Sequence, residues 1–127
     1  MHMNKKKRPK HLALHQIQLP LPAFVSILHR ISGAVLFLAL PLLLLLFDQS
    51  LRSIETYTNL AENLAHPLLK IGVLGLIWAF LHHFCAGLRH LAIDLHLLPT
   101  LAAARSTSKL VLGLSLALTA AFGVKIW

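Results

Sequence analysis

Residues 82–94 read HHFCAGLRHLAID and follow directly on the apolar run IGVLGLIWAFL (71–81). Histidine, arginine and aspartate bind or move charge, and here they stand where charge is expensive. On a helix, positions three and four apart share a face. That spacing predicts one stripe of Gly75, Ala79, His83, Gly87, His90 and Asp94. Its small residues let a neighbouring backbone or a flat ligand approach closely. A neutral imidazole in an apolar helix is a good axial ligand for haem iron, and a glycine one turn away leaves room for the macrocycle. His83 is the candidate ligand. His82 is turned about 100° from it and should not compete. A plainer reading fits the same residues: Arg89 snorkels, Asp94 pairs with His90, His82 and His96 are interfacial, and Gly75 and Ala79 mark helix packing.

A second constellation lies in LPLPAFVSILHRISGAVLF (19–37). Pro20 and Pro22 suit the approach to a helix start. Beyond them Ser26, Arg30, Gly33 and Phe37 share a face, and His29 stands one turn before Gly33. Ser26 and Arg30 offer a hydroxyl and a guanidinium fork to one spot, which suits a quinone carbonyl or a haem propionate. An arginine at the mouth of a membrane helix also snorkels without further role. A six-coordinate haem needs a second axial ligand besides His83, from His29 or from another chain.

The elements that must position these groups follow from composition. The chain has 127 residues, 57% hydrophobic and 13% charged, with a mean hydropathy of +0.72. A soluble domain could not cover itself with so little polar surface. Three apolar stretches account for the excess: 31–47, extendable back towards Pro22, then 67–88 and 110–127. The last ends in an interfacial Trp127 with Lys125 placed to snorkel. About 20 residues of helix cross a bilayer, and backbone groups in lipid must be satisfied within a segment. The fold class predicted is an all-α integral membrane protein with three transmembrane helices, over approximately 22–47, 66–95 and 106–127. Residues 1–127 form a single membrane-anchor domain, with 1–21 as a cytoplasmic N-terminal segment.

Basic residues set the orientation. Lys5, Lys6, Lys7, Arg8 and Lys10 precede the first span, and the 89–109 segment carries Arg89, Arg105 and Lys109 against Asp94. The 48–66 loop carries Arg52 against Asp48, Glu55 and Glu62. The positive-inside rule therefore puts the N-terminus and the 89–109 loop in the cytoplasm. No small-residue cleavage site follows Phe47, and no long Ser-rich amphipathic leader is present, which points to a bacterial inner membrane. The net charge of +8 is split between membrane flanks and forms no nucleic-acid-binding module. Cys85 is the only cysteine, so there is no disulfide, zinc or cluster pattern. No dinucleotide fingerprint, internal repeat or linker interrupts the chain.

RPKHLALHQIQLPLPAFVSILHRISG (8–33) and HHFCAGLRHLAIDL (82–95) together resemble the cytochrome b membrane-anchor subunits of succinate dehydrogenase (succinate:quinone oxidoreductase, respiratory complex II). The family's first signature is matched by Arg8-Pro9 and Leu12, then by Ser26-Ile27, His29-Arg30 and Ser32-Gly33. The second is matched by His83, Gly87, Arg89-His90 and Asp94. Either alone would be weak, but both in order, over essentially the whole chain, are specific. The resemblance implies that His83 is an axial ligand of haem b and that Ser26 and Arg30 bind ubiquinone or menaquinone. It places His29 and Arg30 near the haem propionates, with His90 and Asp94 in a supporting or propionate-side role. It also implies a bundle completed by a second small anchor subunit that supplies the other haem ligand. An iron–sulfur subunit and a flavoprotein subunit would hold the clusters and FAD, so this chain is not catalytic alone. Two other classes fit less well. One is a haem-free structural anchor. The other is a small proton-conducting subunit using Arg30, His83 and Asp94 as a relay, although the chain lacks the repeat or broken-helix pair of a transporter.

Overall fold

The structure is a computed structural model and describes residues 18–127. The basic cluster Lys5 to Lys10, Arg8-Pro9 and Leu12 lie outside the described residues. Four helices follow in order: α1 (Leu21–Arg52), α2 (Ile54–Leu64), α3 (Pro67–Asp94) and α4 (Leu101–Ile126). Three of them, α1, α3 and α4, are long and apolar enough to cross a membrane. At 1.5 Å per residue they run about 48, 42 and 39 Å, enough for a bilayer core of about 30 Å and its interfaces. The chain is a multi-pass membrane protein.

Each helix start has a local cause. Pro22 stands in the first turn of α1, where a missing N–H costs nothing, and the Pro20 carbonyl accepts from Ala23 at 2.9 Å. Pro67 opens α3 behind the His66 cap. The Thr100 side chain accepts from the Ala103 amide at 3.1 Å, so α4 begins at Leu101, five residues before the start expected from hydropathy. Pro41 sits inside α1 without ending it, as membrane helices allow.

The 48–66 segment, read from sequence as a loop, contains α2. Its start is a reciprocal cap: the Thr56 amide donates to Ser53 Oγ and the Ser53 amide donates to Thr56 Oγ1, both at 3.1 Å. The sequence signature for this cap has Glu or Gln in the place of Thr56, which is why the pattern hid it. α3 closes at its far end with the Leu97 amide bonded to the Ala92 carbonyl and the His96 amide to the Ile93 carbonyl. His96 itself takes a left-handed φ of 59°, the arrangement that usually recruits glycine.

α3 packs along both α1 and α4, which also touch each other. The interior is the reverse of a soluble core. Its apolar members are small, Val25, Ala79, Ala86 and Val111, and beside them lie buried Ser32, His82, Arg89, Ser108 and Ser115. Large apolar side chains point outward, Phe37 at 74% and Leu38 at 76% exposure. In water that surface would be untenable, whereas lipid tails are as apolar as leucine. Small interior residues let the helix backbones approach. At the end carrying α2, Lys70 lies 5.3 Å over the Trp127 ring and ties the last residue to the first turns of α3.

Candidate functional site

The α1–α3 seam, near the start of α1 and the end of α3, gathers three histidines. His83 Nδ1 is 3.0 Å from the His29 carbonyl oxygen. A carbonyl only accepts, so Nδ1 carries a proton, and in the neutral ring Nε2 then keeps its lone pair. Ser32 Oγ donates to the same carbonyl at 2.9 Å and lies 3.4 Å from His83 Nδ1. The His29 and His83 rings stack at 4.2 Å and 9°, and His90 leans on His29 at 4.9 Å and 49°.

Glycines make this approach possible. A Cβ added at Gly33 would stand 2.8 Å from His83 Cε1 and 3.2 Å from Nδ1, so only glycine leaves room for the imidazole. A Cβ at Gly87 would meet His29 Nε2 at 3.6 Å, an ordinary contact. The space beside Gly87 is thus taken by the His29 ring.

The predicted stripe on α3 separates into faces. His83, Gly87 and His90 face α1. Gly75 is exposed with open space beside it, and Ala79 turns into the interior with His82 and Ala86. Asp94 is exposed and forms no pair with His90; among the described residues the ion pair is Arg52 with Asp48. Ser26 is half-buried and Arg30 exposed on α1, beside His29, and among the described residues neither side chain makes a hydrogen bond. Phe37 points outward at 74% exposure, away from the seam where Gly33 lies.

Two plainer sequence readings fail. His82 is not interfacial: it is fully buried and stacks on Trp78 at 5.3 Å, and among the described residues neither ring nitrogen has a hydrogen-bond partner. Arg89 does not snorkel. It is 6% exposed, and its Nε donates to Thr107 Oγ1 while Nη2 donates to the Ala104 carbonyl, each at 3.2 Å. The fixed helical offset of about 100° between neighbours sends His82 and His83 to different neighbours. Sequence reasoning passed over Ser32 as a site residue, although its place three residues after His29 was a usable signal.

Chemically, His29, His83 and His90 meet by ring faces, and among the described residues no three His, Cys, Asp or Glu side chains converge to hold a bare metal ion. What the seam offers is one oriented imidazole lone pair, suited to a metal that brings its other ligands with it.

Residues 4–122 match the family described as succinate dehydrogenase/fumarate reductase transmembrane subunit. The chain is 38% identical over 122 residues to a succinate dehydrogenase cytochrome b556 subunit of Coxiella burnetii, covering 95% of this chain and 98% of that one. Proteins of the same description from Rickettsia bellii and Rickettsia felis are 33% and 29% identical, each over 94 residues. Those matches cover 74% and 72% of this chain, and 71% and 69% of theirs.

Proposed function

The chain belongs to the succinate dehydrogenase/fumarate reductase transmembrane subunit family, and on that premise we propose that His83 is an axial ligand of haem b and that Ser26 and Arg30 hold the quinone. As a cytochrome b membrane subunit of succinate dehydrogenase it is a part of an oxidoreductase and not a catalyst alone. The observation that carries the haem reading is the 3.0 Å bond from His83 Nδ1 to the His29 carbonyl. Metal-ligating histidines characteristically donate their other ring N–H to such an acceptor, which fixes tautomer and ring orientation and raises ligand basicity. The residues present therefore fit the group. When bound, haem b supplies an iron that takes up and returns one electron.

The chain's own residues then have distinct tasks. The His29 carbonyl and Ser32 hold the His83 ring, and Gly33 leaves the space it needs. His29, Arg30 and His90 provide donors for propionate oxygens, with Asp94 at the rim in a supporting role. Arg30 and Ser26 direct N–H and O–H groups towards one spot outside the α1–α3 seam, where a quinone carbonyl accepts them. Such donors favour the negative charge that grows on the oxygens as quinone is reduced. Protons reach them from the cytoplasmic side, beside the N-terminus and the 89–109 segment, in a bacterial inner membrane. Partner subunits complete the path: a flavoprotein with FAD, an iron–sulfur protein, and a second small anchor subunit that presents the other axial ligand. Assigning that ligand to a partner and not to His29 is supported by the His29 ring, which stacks on His83 at 4.2 Å and 9°.

A haem-free anchor is the second reading, favoured by the His29 ring lying in the space beside Gly87. One experiment separates the two. A dithionite-reduced minus oxidised spectrum of the gently solubilised complex should show a b-type α-band, lost or shifted in His83→Ala with partners still bound. An unchanged band in the variant would move the ligand elsewhere. No band in either protein would leave the haem-free anchor.

A further inference from the structure

Arg89 is a buried cation with no anion of its own. The chain has four acidic residues, Asp48, Glu55, Glu62 and Asp94, and none pairs with it. Among the described residues its two hydrogen bonds go to neutral oxygens, Thr107 Oγ1 and the Ala104 carbonyl, which leaves three of its five N–H donors without a partner there. Leaving a buried charge uncompensated is strongly destabilising. Arg89 and Thr107 also line a cleft of about 280 Å³ between α3 and α4, whose other walls include Leu88, Leu110 and Leu114. This is not the histidine seam: His83 and His90 face α1, while the cleft opens on the far side of α3.

Depth agrees with charge. Arg89 lies five residues inside the end of α3, roughly 8 Å along the axis. α3 is about as long as a bilayer with its headgroup regions is thick, so that depth is the boundary between headgroup and hydrocarbon. We propose that the α3–α4 cleft binds an anionic phospholipid, its phosphate on the free donors of Arg89 and an acyl chain along Leu88, Leu110 and Leu114. Arginine presents a fork matched to phosphate oxygens, and basic pockets between membrane helices are known sites for anionic headgroups. The same guanidinium then clamps α3 to α4 and seats a lipid.

The test uses the whole complex, reconstituted in vesicles of phosphatidylglycerol and phosphatidylcholine at about one to nine and re-extracted in mild detergent. Retained lipid is counted by native mass spectrometry. Wild type should keep phosphatidylglycerol above its share of the vesicle, and Arg89→Gln should lose one molecule per copy of this chain. Because Arg89→Gln also weakens the α3–α4 contact, Leu114→Trp serves as the second variant. Leu114 is 44% exposed, and the indole should fill the acyl groove and cost the same lipid without touching the guanidinium. Phosphatidylglycerol at its bulk share in wild type, or undiminished in both variants, would overturn the proposal. So would displacement by inorganic phosphate with no effect of Leu114→Trp, which would assign the cleft to a free anion. If a partner subunit is lost in Arg89→Gln while wild type shows no lipid preference, the missing anion is a partner's carboxylate and the proposal fails.

Discussion

The His83 ring nitrogen Nδ1 donates to the carbonyl of His29 across the α1–α3 seam at 3.0 Å. One bond thereby settles the tautomer of a histidine on one helix from the backbone of another. In the neutral ring it leaves the lone pair at Nε2 wherever the two helices are packed, so ring orientation and helix packing are the same event.

Gly33→Ala tests that coupling. Its new methyl would stand 2.8 Å from His83 Cε1, so the ring or α1 must move. Overpacking of this kind costs about 1–3 kcal/mol. A lowered melting temperature with a weakened or displaced α-band is expected. A normal band at normal stability would show that the ring has more room than the packing indicates.

Arg30→Ala and Ser26→Ala should separate quinone chemistry from folding. Arg30 is exposed and Ser26 half-buried, and among the described residues neither side chain makes a hydrogen bond, so thermal stability should change by no more than about 0.5 kcal/mol. If Arg30 holds the quinone as proposed, losing that charged hydrogen bond, worth roughly 1.5–3 kcal/mol, should lower succinate–quinone reductase kcat/KM more than tenfold in Arg30→Ala. Ser26→Ala should lose less. Full activity of Arg30→Ala would remove it from the site.

Thr107→Val should loosen α4. It removes the acceptor of Arg89 Nε at nearly unchanged volume, and hydrogen bonds to charged groups are worth about 1.5–3 kcal/mol. A drop in the detergent melting temperature with an intact α-band is expected, because the histidine seam lies on another face of α3.

His82→Phe should be neutral or stabilising. The ring is fully buried and, among the described residues, neither nitrogen has a partner within hydrogen-bonding geometry, and unsatisfied buried polar groups cost about 1–3 kcal/mol each. Phenylalanine keeps the stack on Trp78 without that penalty. A loss of more than about 2 kcal/mol would reveal a bond made by His82 in the assembled complex. The α-band should be untouched, in contrast to His83→Ala one residue on.

His96→Gly should stabilise α3. A side chain at φ 59° costs about 1–2 kcal/mol relative to the right-handed region, and glycine avoids it. His96→Val, β-branched, should do the reverse. Melting curves of the two variants against wild type decide it.

The sequence alone determined what depends on composition and on neighbours a few residues apart. Three apolar runs of bilayer length needed no partner to be read as membrane helices. The period of 3.6 residues already put His83, Gly87 and His90 on one face, and the Pro20–Pro22 and Thr100 starts are local chemistry. Rotation about the helix axis was not legible, because it is set by what each face meets. Only packing showed that Arg89 and His82 look inward and that Gly75 faces open space. Only packing set His29, 54 residues away in sequence, as the holder of His83. A helix sequence lists its faces, but the neighbour on each face comes from the angle and register at which helices cross, and that is a property of the assembled bundle.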